Sequence, residues 1–396
     1  MLDRYLLPAI TILLIGCALA PSHAHAQPKP FSFIVIGDAG QTGKVLDGSA
    51  RHMLSAARER AGAGKPVQLL LFLGDNFYPN GLNHQDEETR RELIRDVLGP
   101  HSELMRMLGP QNVHSIPGNH DYYCATVNSI PYGSCNMGNL YEKEIPEWTY
   151  HLHDPALVRR AVAEGSADSV DLILFDSALL LTQEFSRWRP ALDSLERLLR
   201  ASATARGVRW RLIAAHHSPY SIGEHGGYRL WMSSQRRVGY IGNCIEDRQD
   251  PFKYVEQFLS HQDNCTPRYR AYSDSLMAVI RRSGARVQML MAGHDHSLQL
   301  LNYPGRTCDN CPKIFMISGA GSKLGRVKSP APPNEFSHPV NTSQEKGHSA
   351  GGFTICTFEG NELVFTFIDA KDGKPLDMGG GRTTFRIDQA GNLLEK

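Results

Sequence analysis

Short apolar runs alternate along the chain with stretches in which apolar residues recur at helical spacing. The runs are apolar on both faces, which is typical of strands buried between two layers. They predict strands at residues 31–38, 67–75, 170–177, 210–218 and 287–296, and a passage from strand to loop at 113–121. The helical spacing predicts helices at residues 44–61, 87–98, 186–203 and 273–283. Strands that alternate with helices predict an α/β core with the helices outside.

The C-terminal part of the chain has a different pattern. Its apolar runs predict antiparallel strands, with Gly360-Asn361 as a hairpin turn, at residues 313–322, 351–370 and 381–388. The Pro-rich residues 329–340 predict an irregular loop, and the long polar segment at 221–272 predicts an insertion over one face. We therefore expect a single domain at residues 27–396 that carries this insertion.

Residues 1–26 have the layout of a secretory signal peptide. Arg4 precedes an apolar stretch, and the small-residue motif AHA (24–26) follows it. This layout predicts cleavage after residue 26 and export to the periplasm or the exterior. LIGC (14–17) also resembles a bacterial lipoprotein box, and in that alternative Cys17 carries a lipid anchor. No later stretch approaches the roughly 20 apolar residues of a membrane span.

Composition narrows the class of protein. The chain has 396 residues, of which 41% are hydrophobic and 21% charged, as in soluble globular proteins. Its formal net charge of +1 does not favour nucleic acid or an anionic membrane as a partner. The 8 cysteines fit an oxidising compartment. Local disulfides are predicted for the neighbours in sequence, with Cys356 left over: Cys124 and Cys135, Cys244 and Cys265, and Cys308 and Cys311.

Side chains that bind metals follow several of the predicted strands. In α/β sheets the carboxyl ends of strands are where ligands bind. Oxygen and nitrogen donors without cysteine indicate hard or borderline metals, and their number exceeds what one ion uses. The sequence therefore predicts two metal ions at this edge, near Asp38, Asp75, Tyr78, Asn119, His120, Asp121, His216, His217, His294, Asp295 and His296.

The motifs GDAG, GDNFY, GNHD, HH and GHDH, in this order, resemble the metallophosphoesterase superfamily. Tyr78, three residues after Asp75, narrows the resemblance to purple acid phosphatases of the small tartrate-resistant type, as do SIGEHG (221–226) and SGAGS (318–322). The resemblance covers roughly residues 31–370. It implies the calcineurin-like fold, in which two mixed β-sheets form a central sandwich flanked by helices.

The resemblance also implies a ligand set. One ion, as Fe(III), would be held by Asp38, Asp75, Tyr78 and His296. Asp75 would bridge to a divalent Fe, Zn or Mn ion completed by Asn119, His217 and His294. His217 is chosen over its neighbour His216 because Ser218-Pro219 follow it. With that choice, the spacing to His225 is one residue shorter than in the small enzymes.

The implied reaction is hydrolysis of a small phosphorylated substrate, a phosphomonoester. Two cations would activate a water for in-line attack on phosphorus. His120 and His225 would bind phosphate and protonate the leaving group. Asp121 and Asp295 would orient imidazoles.

Two alternatives belong to other classes of function. A phosphodiesterase of the same superfamily would act on nucleotides or phospholipid head groups. Diester enzymes of this group generally lack the tyrosine ligand, so Tyr78 favours the monoesterase. A non-catalytic surface binding protein would use the same fold without the chemistry, although every expected ligand is present.

Overall fold

The structure is a computed structural model. It describes residues 29–82, 86–123, 125–127, 130–132, 138–226, 262–264, 266–303, 308–327, 335–337 and 350–395. The predicted signal peptide and most of the predicted insertion lie outside these ranges. In the ranges that the structure covers, no helix is both long and apolar enough to span a membrane.

Strands are numbered in chain order: β1 Ser32–Ile36, β2 Val67–Phe72, β3 Val113–Ser115, β4 Ala125–Val127, β5 Ile130–Tyr132, β6 Thr149–Tyr150, β7 Ala156–Ala161, β8 Ser169–Phe175, β9 Val208–Ala215, β10 Met289–Ala292, β11 Leu298–Asn302, β12 Ile314–Ser318, β13 Glu335–Ser337, β14 Gly352–Glu359, β15 Glu362–Asp369 and β16 Thr384–Asp388. The described α-helices are α1 Lys44–Gly62, α2 Glu87–Leu98, α3 Ser102–Leu108, α4 Asn119–Tyr122, α5 Gly138–Glu144, α6 Ala178–Thr182, α7 Trp188–Thr204 and α8 Pro267–Ser283.

Fourteen of the described strands form two mixed sheets of seven strands, as the resemblance implies, and β4 and β5 pair with each other in a separate two-stranded sheet. The first sheet has the order β16-β15-β14-β1-β2-β3-β6, and β1, β2, β3 and β6 run parallel in it. The second has the order β13-β11-β12-β10-β9-β8-β7, and β8, β9, β10 and β12 run parallel in it. The strands that precede the predicted ligands, β1, β2 and β3 in one sheet and β9 and β10 in the other, belong to these parallel groups.

Alternate residues of each strand enter different cores, as the two-residue period of a strand requires. Phe33 and Val35 of β1 lie in the cluster between the sheets, with Leu212 and Ala214 of β9. The residues between them point outward. Those of β1 pack against α1, and those of β9 pack against α7 and α8. The result is a sandwich of two sheets with helices on both outer faces.

Most predicted elements are confirmed, and the exceptions have local causes. Helix α8 begins at Pro267 rather than near 273, because Thr266 accepts a hydrogen bond from the Tyr269 amide and proline occupies the first turn. The strand predicted to be antiparallel at residues 313–322 is β12, which runs parallel to β10 and antiparallel to β11. Strands β4, β5, β6, β7 and β11 were not predicted, and β13 lies in the segment predicted as a loop.

Two features of the C-terminal part match their predictions. The hairpin from β14 to β15 turns at Gly360, whose φ of 60° is readily adopted by glycine. Cys308 and Cys311 form a disulfide, and Cys356 is buried and free. The other predicted cysteine pairs lie outside the described residues.

Candidate metal centre

The strand ends that carry the predicted ligands have unusual backbone conformations. Asp38, Asp75 and His294 have positive φ values of 56°, 53° and 70°, a region that side chains other than glycine rarely adopt. The sheets also approach closely here, since a Cβ atom added to Gly37 would lie 3.0 Å from the Cα of Gly293. Backbone strain of this kind is concentrated at functional sites, where the surrounding structure holds it in place.

The first cluster of donors surrounds the phenol of Tyr78. Its oxygen lies 3.0 Å from Oδ1 of Asp38, 2.9 Å from Oδ2 of Asp75 and 3.3 Å from Nε2 of His296. Both carboxylates are buried. One oxygen or nitrogen from each of Asp38, Asp75 and His296 lies within 4.8 Å of the others. The structure thus brings together the four residues predicted to hold the first ion.

The charges of this cluster favour a bound cation. Burial raises the pKa of Asp38 to about 8, against the opposing effect of His216. Burial also raises the pKa of the Tyr78 phenol well above its ordinary value, and the neighbouring carboxylates Asp38 and Asp75 raise it further. Buried anionic groups in such contact are costly unless a positive charge compensates them. Two carboxylates, a phenol and an imidazole are donors that suit a hard, highly charged ion.

The second cluster is built around His216. Its Nδ1 is 2.6 Å from the carbonyl oxygen of Leu73, which leaves Nε2 facing the site. That Nε2 lies 3.4 Å from Oδ1 of Asp75 and 3.2 Å from Oδ1 of Asn119. Burial lowers the pKa of His216, but contact with Asp75 outweighs it and raises the pKa to about 9. Asp75 therefore reaches Tyr78 with one oxygen and His216 with the other, the arrangement of a bridging ligand.

His217 has different partners from those predicted. Its Nδ1 is 3.0 Å from the hydroxyl of Ser177, and its Nε2 is 3.0 Å from Oε1 of Gln262. The rings of His217 and His294 are 4.3 Å apart, so it borders the site. The Nε2 of His294 is 2.7 Å from the carbonyl oxygen of Gln262. One nitrogen each of His216, His217 and His294 lies within 4.8 Å of the others.

His120 stands beside the first cluster at the beginning of α4. Its amide donates to Oδ1 of Asp75 over 2.9 Å, and its Nδ1 is 2.6 Å from the carbonyl oxygen of Pro79. Its ring packs 4.5 Å from that of Tyr78, and its Nε2 lies 3.9 Å from Oδ2 of Asp75. The side chain is 17% exposed, so it can be reached from solvent.

His225 stands on the other side, beside the second cluster. Its ring stacks 4.1 Å from His294, and its Nδ1 is 2.7 Å from Oδ1 of Asp263. The side chain is 24% exposed, whereas Asp263 is buried. A buried carboxylate thus holds one nitrogen of a partly exposed imidazole at the mouth of the site.

Comparison with known proteins decides the family. Residues 31–298 match the family model described as calcineurin-like phosphoesterase. The chain belongs to this family. The arrangement of its sheets agrees with that fold.

The chain is also similar, at low identity, to acid phosphatases. This calcineurin-like phosphoesterase is 25% identical over 378 residues to tartrate-resistant acid phosphatase type 5 of Homo sapiens, covering 92% of this chain and 95% of that one. It is 22% identical to purple acid phosphatase 17 of Arabidopsis thaliana, covering 74% and 69%. It is thus similar to purple acid phosphatases, and its donor clusters fit a dinuclear metal site.

Solved structures share the fold at still lower identity. The structure titled "GAP50 the anchor in the inner membrane complex of Plasmodium" superposes with a TM-score of 0.55 at 15% identity and covers 87% of this chain and 86% of that one. A structure of PhoD superposes with a TM-score of 0.51 at 10% identity, covering 93% and 72%. These likenesses concern the fold alone.

The acidic residues predicted to orient imidazoles differ in what they hold. Asp295 accepts from the amide of His225 over 2.9 Å, so it positions a histidine through its backbone. Asp121 accepts from the amides of Asn76 and Gly118 and from the hydroxyl of Tyr141. It therefore fixes the loops after β2 and β3, and the prediction that it orients an imidazole is wrong.

Sequence reasoning did not find Gln262 and Asp263 as parts of this site. Both lie just before α8, at the far end of the segment predicted as an insertion. No motif marks them, because their role depends on where the chain returns. The sequence did contain a signal for His216. The spacing to His225 equals that of the small tartrate-resistant enzymes when it is counted from His216, and it is one residue shorter when it is counted from His217.

Proposed function

We propose that this calcineurin-like phosphoesterase is an exported acid phosphatase that hydrolyses phosphomonoesters at a dinuclear metal centre. The observation that carries the proposal is the contact of the Tyr78 phenol with Asp38, Asp75 and His296. A phenol adds a third anionic oxygen to the two carboxylates, and this favours a trivalent ion in the first position. Similarity to purple and tartrate-resistant acid phosphatases supports the same assignment.

In this proposal the first position takes Fe(III), held by Asp38, Asp75, Tyr78 and His296. The second takes a divalent Fe, Zn or Mn ion, held by Asp75, Asn119, His216 and His294. His216 replaces the predicted His217, because its Nε2 faces Asp75 and Asn119 while that of His217 faces Gln262. When bound, the two ions supply positive charge that binds phosphate oxygens and acidifies a water.

The protein's own residues bind and protonate the substrate. The carbonyl oxygen of Pro79 fixes the Nδ1 of His120, so its Nε2 is left to hydrogen-bond a phosphate oxygen. Asp263 holds the Nδ1 of His225 in the same way, on the opposite side of the site. With Nδ1–H donated to that carboxylate, a protonated His225 can deliver its Nε2 proton to the departing alcohol oxygen.

Export is proposed from two observations. Residues 1–26 have the layout of a signal peptide. The disulfide between Cys308 and Cys311 is of a kind that persists in oxidising compartments. In the alternative, the protein is also exported, but a lipid on Cys17 anchors it to the membrane.

The test of the reaction is hydrolysis of 4-nitrophenyl phosphate against bis(4-nitrophenyl) phosphate from pH 4 to 8. We expect the monoester to dominate and its turnover to peak in acid, with Asp75→Asn as the inactive control. A preference for the diester near neutral pH would favour a phosphodiesterase instead. A metal-loaded protein that turns over neither ester would contradict both.

The visible absorption of the purified protein tests the assignment of iron. A tyrosine phenolate bound to Fe(III) should make the purified protein violet, and Tyr78→Phe should abolish that absorption. Tyr123→Phe is a matched control, since its phenol lies by Asn119 rather than by the first cluster. A colourless, active wild type loaded with zinc would overturn the purple-phosphatase assignment and leave the hydrolase assignment intact.

A further inference from the structure

Lys323 lies beside the first metal position and has no role in the reaction described above. It follows β12 and the glycine-rich turn at residues 319–321. Its Nζ is 4.1 Å from the centre of the Tyr78 ring, within the range of a cation–π contact. The residue is only partly buried. A positive charge therefore stands at the opening of the site, on the face of its phenol.

The backbone around Lys323 is tied to two of the proposed ligands. The hydroxyl of Ser322 donates to the carbonyl oxygen of Asp38 over 2.5 Å. The amide of Gly325 donates to the carbonyl oxygen of His296 over 2.5 Å. Lys323 lies between these two tethers, so its ammonium is presented from a loop fixed to both sheets. Such anchoring reduces the entropy lost when the side chain is ordered by a ligand.

The charge of Lys323 is not neutralised by its neighbours. Among the residues that the structure describes, no carboxylate lies within 4.0 Å of its Nζ. Its ring contact is with Tyr78, and its positive charge acts on the imidazoles of His120 and His296. In the proposed centre, the anionic groups Asp38, Asp75 and Tyr78 are engaged with the metals. Because Lys323 makes no ion pair of its own with the described residues, its charge is available to an anion from solvent.

A charge balance indicates which anion. In the proposed centre, the three anionic ligands Asp38, Asp75 and Tyr78 leave the trivalent and the divalent ion with two uncompensated positive charges. At the acid pH where turnover is expected to peak, a singly ionised phosphomonoester and the hydroxide that would attack it balance those two. Lys323 then remains uncompensated, in a partly buried place where an unpaired charge is unfavourable. A further negative charge on the substrate would satisfy it.

We propose that Lys323 is a specificity-determining residue that binds a second anionic group on the substrate, so that the enzyme prefers phosphomonoesters whose alcohol carries a carboxylate or a further phosphate. The inference rests on the proposed function, since it concerns the same site. It adds a recognition element that the metal ligands and the two catalytic histidines do not provide.

The test compares two ligands of similar size in the metal-loaded protein. Phosphonoacetate carries a carboxylate where ethylphosphonate carries a methyl group, and calorimetric titration gives the affinity for each. We expect Lys323→Met to weaken phosphonoacetate binding by about tenfold, as for a charge-assisted contact, and ethylphosphonate binding by less than about twofold. Lys323→Arg should retain most of the preference. Lys313→Met, at the opposite end of β12, removes the same charge and should change neither.

The outcomes separate the two proposals. Equal loss of both ligands in Lys323→Met, or no loss of either, would overturn the role of Lys323, provided that thermal unfolding shows a folded variant. Turnover of 4-nitrophenyl phosphate by the wild type would leave the phosphatase proposal standing in that case. A wild type without any phosphoesterase activity would contradict the proposed function, whatever the variant binds.

Discussion

Two adjacent histidines at the end of β9 have different hydrogen-bond partners. His216 continues the inward-facing series of Leu212 and Ala214, and it reaches Asp75. His217 continues the outward-facing series, and its ring packs 5.8 Å from that of Tyr269 on α8. Because the two side chains leave the strand on opposite faces, only one of them can face the centre between the sheets. His217 lies on the opposite face of the strand, where it supports His216.

This difference predicts separate effects on metal content. We expect His216→Ala to lose about one equivalent of metal and about a hundredfold or more of kcat/KM, because a ligand is removed. We expect His217→Asn to keep both ions and to lose about tenfold or less, as for a residue that positions a ligand. Elemental analysis of the purified variants measures the first effect. Loss of metal from His217→Asn alone would restore the assignment first drawn from the sequence.

At the scale of elements, the connection between α2 and α3 contains a buried histidine. His101 ends the short 3-10 turn Gly99–His101, and its ring meets that of Phe72 edge-on at 5.5 Å. Neither ring nitrogen has a hydrogen-bond partner among the described residues. Burial lowers the pKa of His101 to about 4. The imidazole is therefore kept neutral by the packing of these elements.

The low pKa predicts a loss of stability in acid. Between pH 6.5 and 4 the unfolded chain binds a proton at His101 that the folded chain does not, so stability falls as pH falls through this window. We expect His101→Leu to reduce the pH slope of the unfolding free energy by about 1 kcal/mol per pH unit. Urea unfolding at pH 7 and pH 5 measures the slope. Leu104→Ala, in the same core, should lower stability equally at both, and an unchanged slope in His101→Leu would contradict this account.

At the scale of the whole molecule, the centre joins the two sheets. Asp38, Asp75 and Asn119 follow strands β1, β2 and β3 of the first sheet. His216, His294 and His296 follow strands β9 and β10 of the second. Metal bound by both groups would therefore add a link between two halves that already meet through apolar packing and through hydrogen bonds such as that from the Gly37 amide to the carbonyl oxygen of Ser318.

Removing the metals should weaken the entire fold rather than one loop. We expect a chelator to lower the unfolding free energy by about 4 kcal/mol if the metals are present at about a thousand times their dissociation constants. Thermal unfolding with and without chelator measures the change. Asp75→Asn, which removes the residue shared by both positions, should respond little to the chelator. Equal unfolding temperatures for the treated and untreated wild type would exclude a structural role for the metals.

The sequence by itself determined most of the long strands and helices, the residue types at the strand ends and the family motifs. These properties are local, because a strand needs only its apolar run and a sharp turn needs only its glycine and aspartate. The Cys308–Cys311 disulfide could be predicted for the same reason, since its partners lie three residues apart.

Only the tertiary structure decided which histidine faces the centre, and which residues complete it. Strand β9 is apolar on both faces, so its sequence cannot show which face meets the other sheet. Asp263 and Lys323 come to the site through long-range contacts, one at the return of the chain into α8 and one on a loop tied to Asp38 and His296. Such contacts depend on how two sheets stack, and no local pattern encodes that.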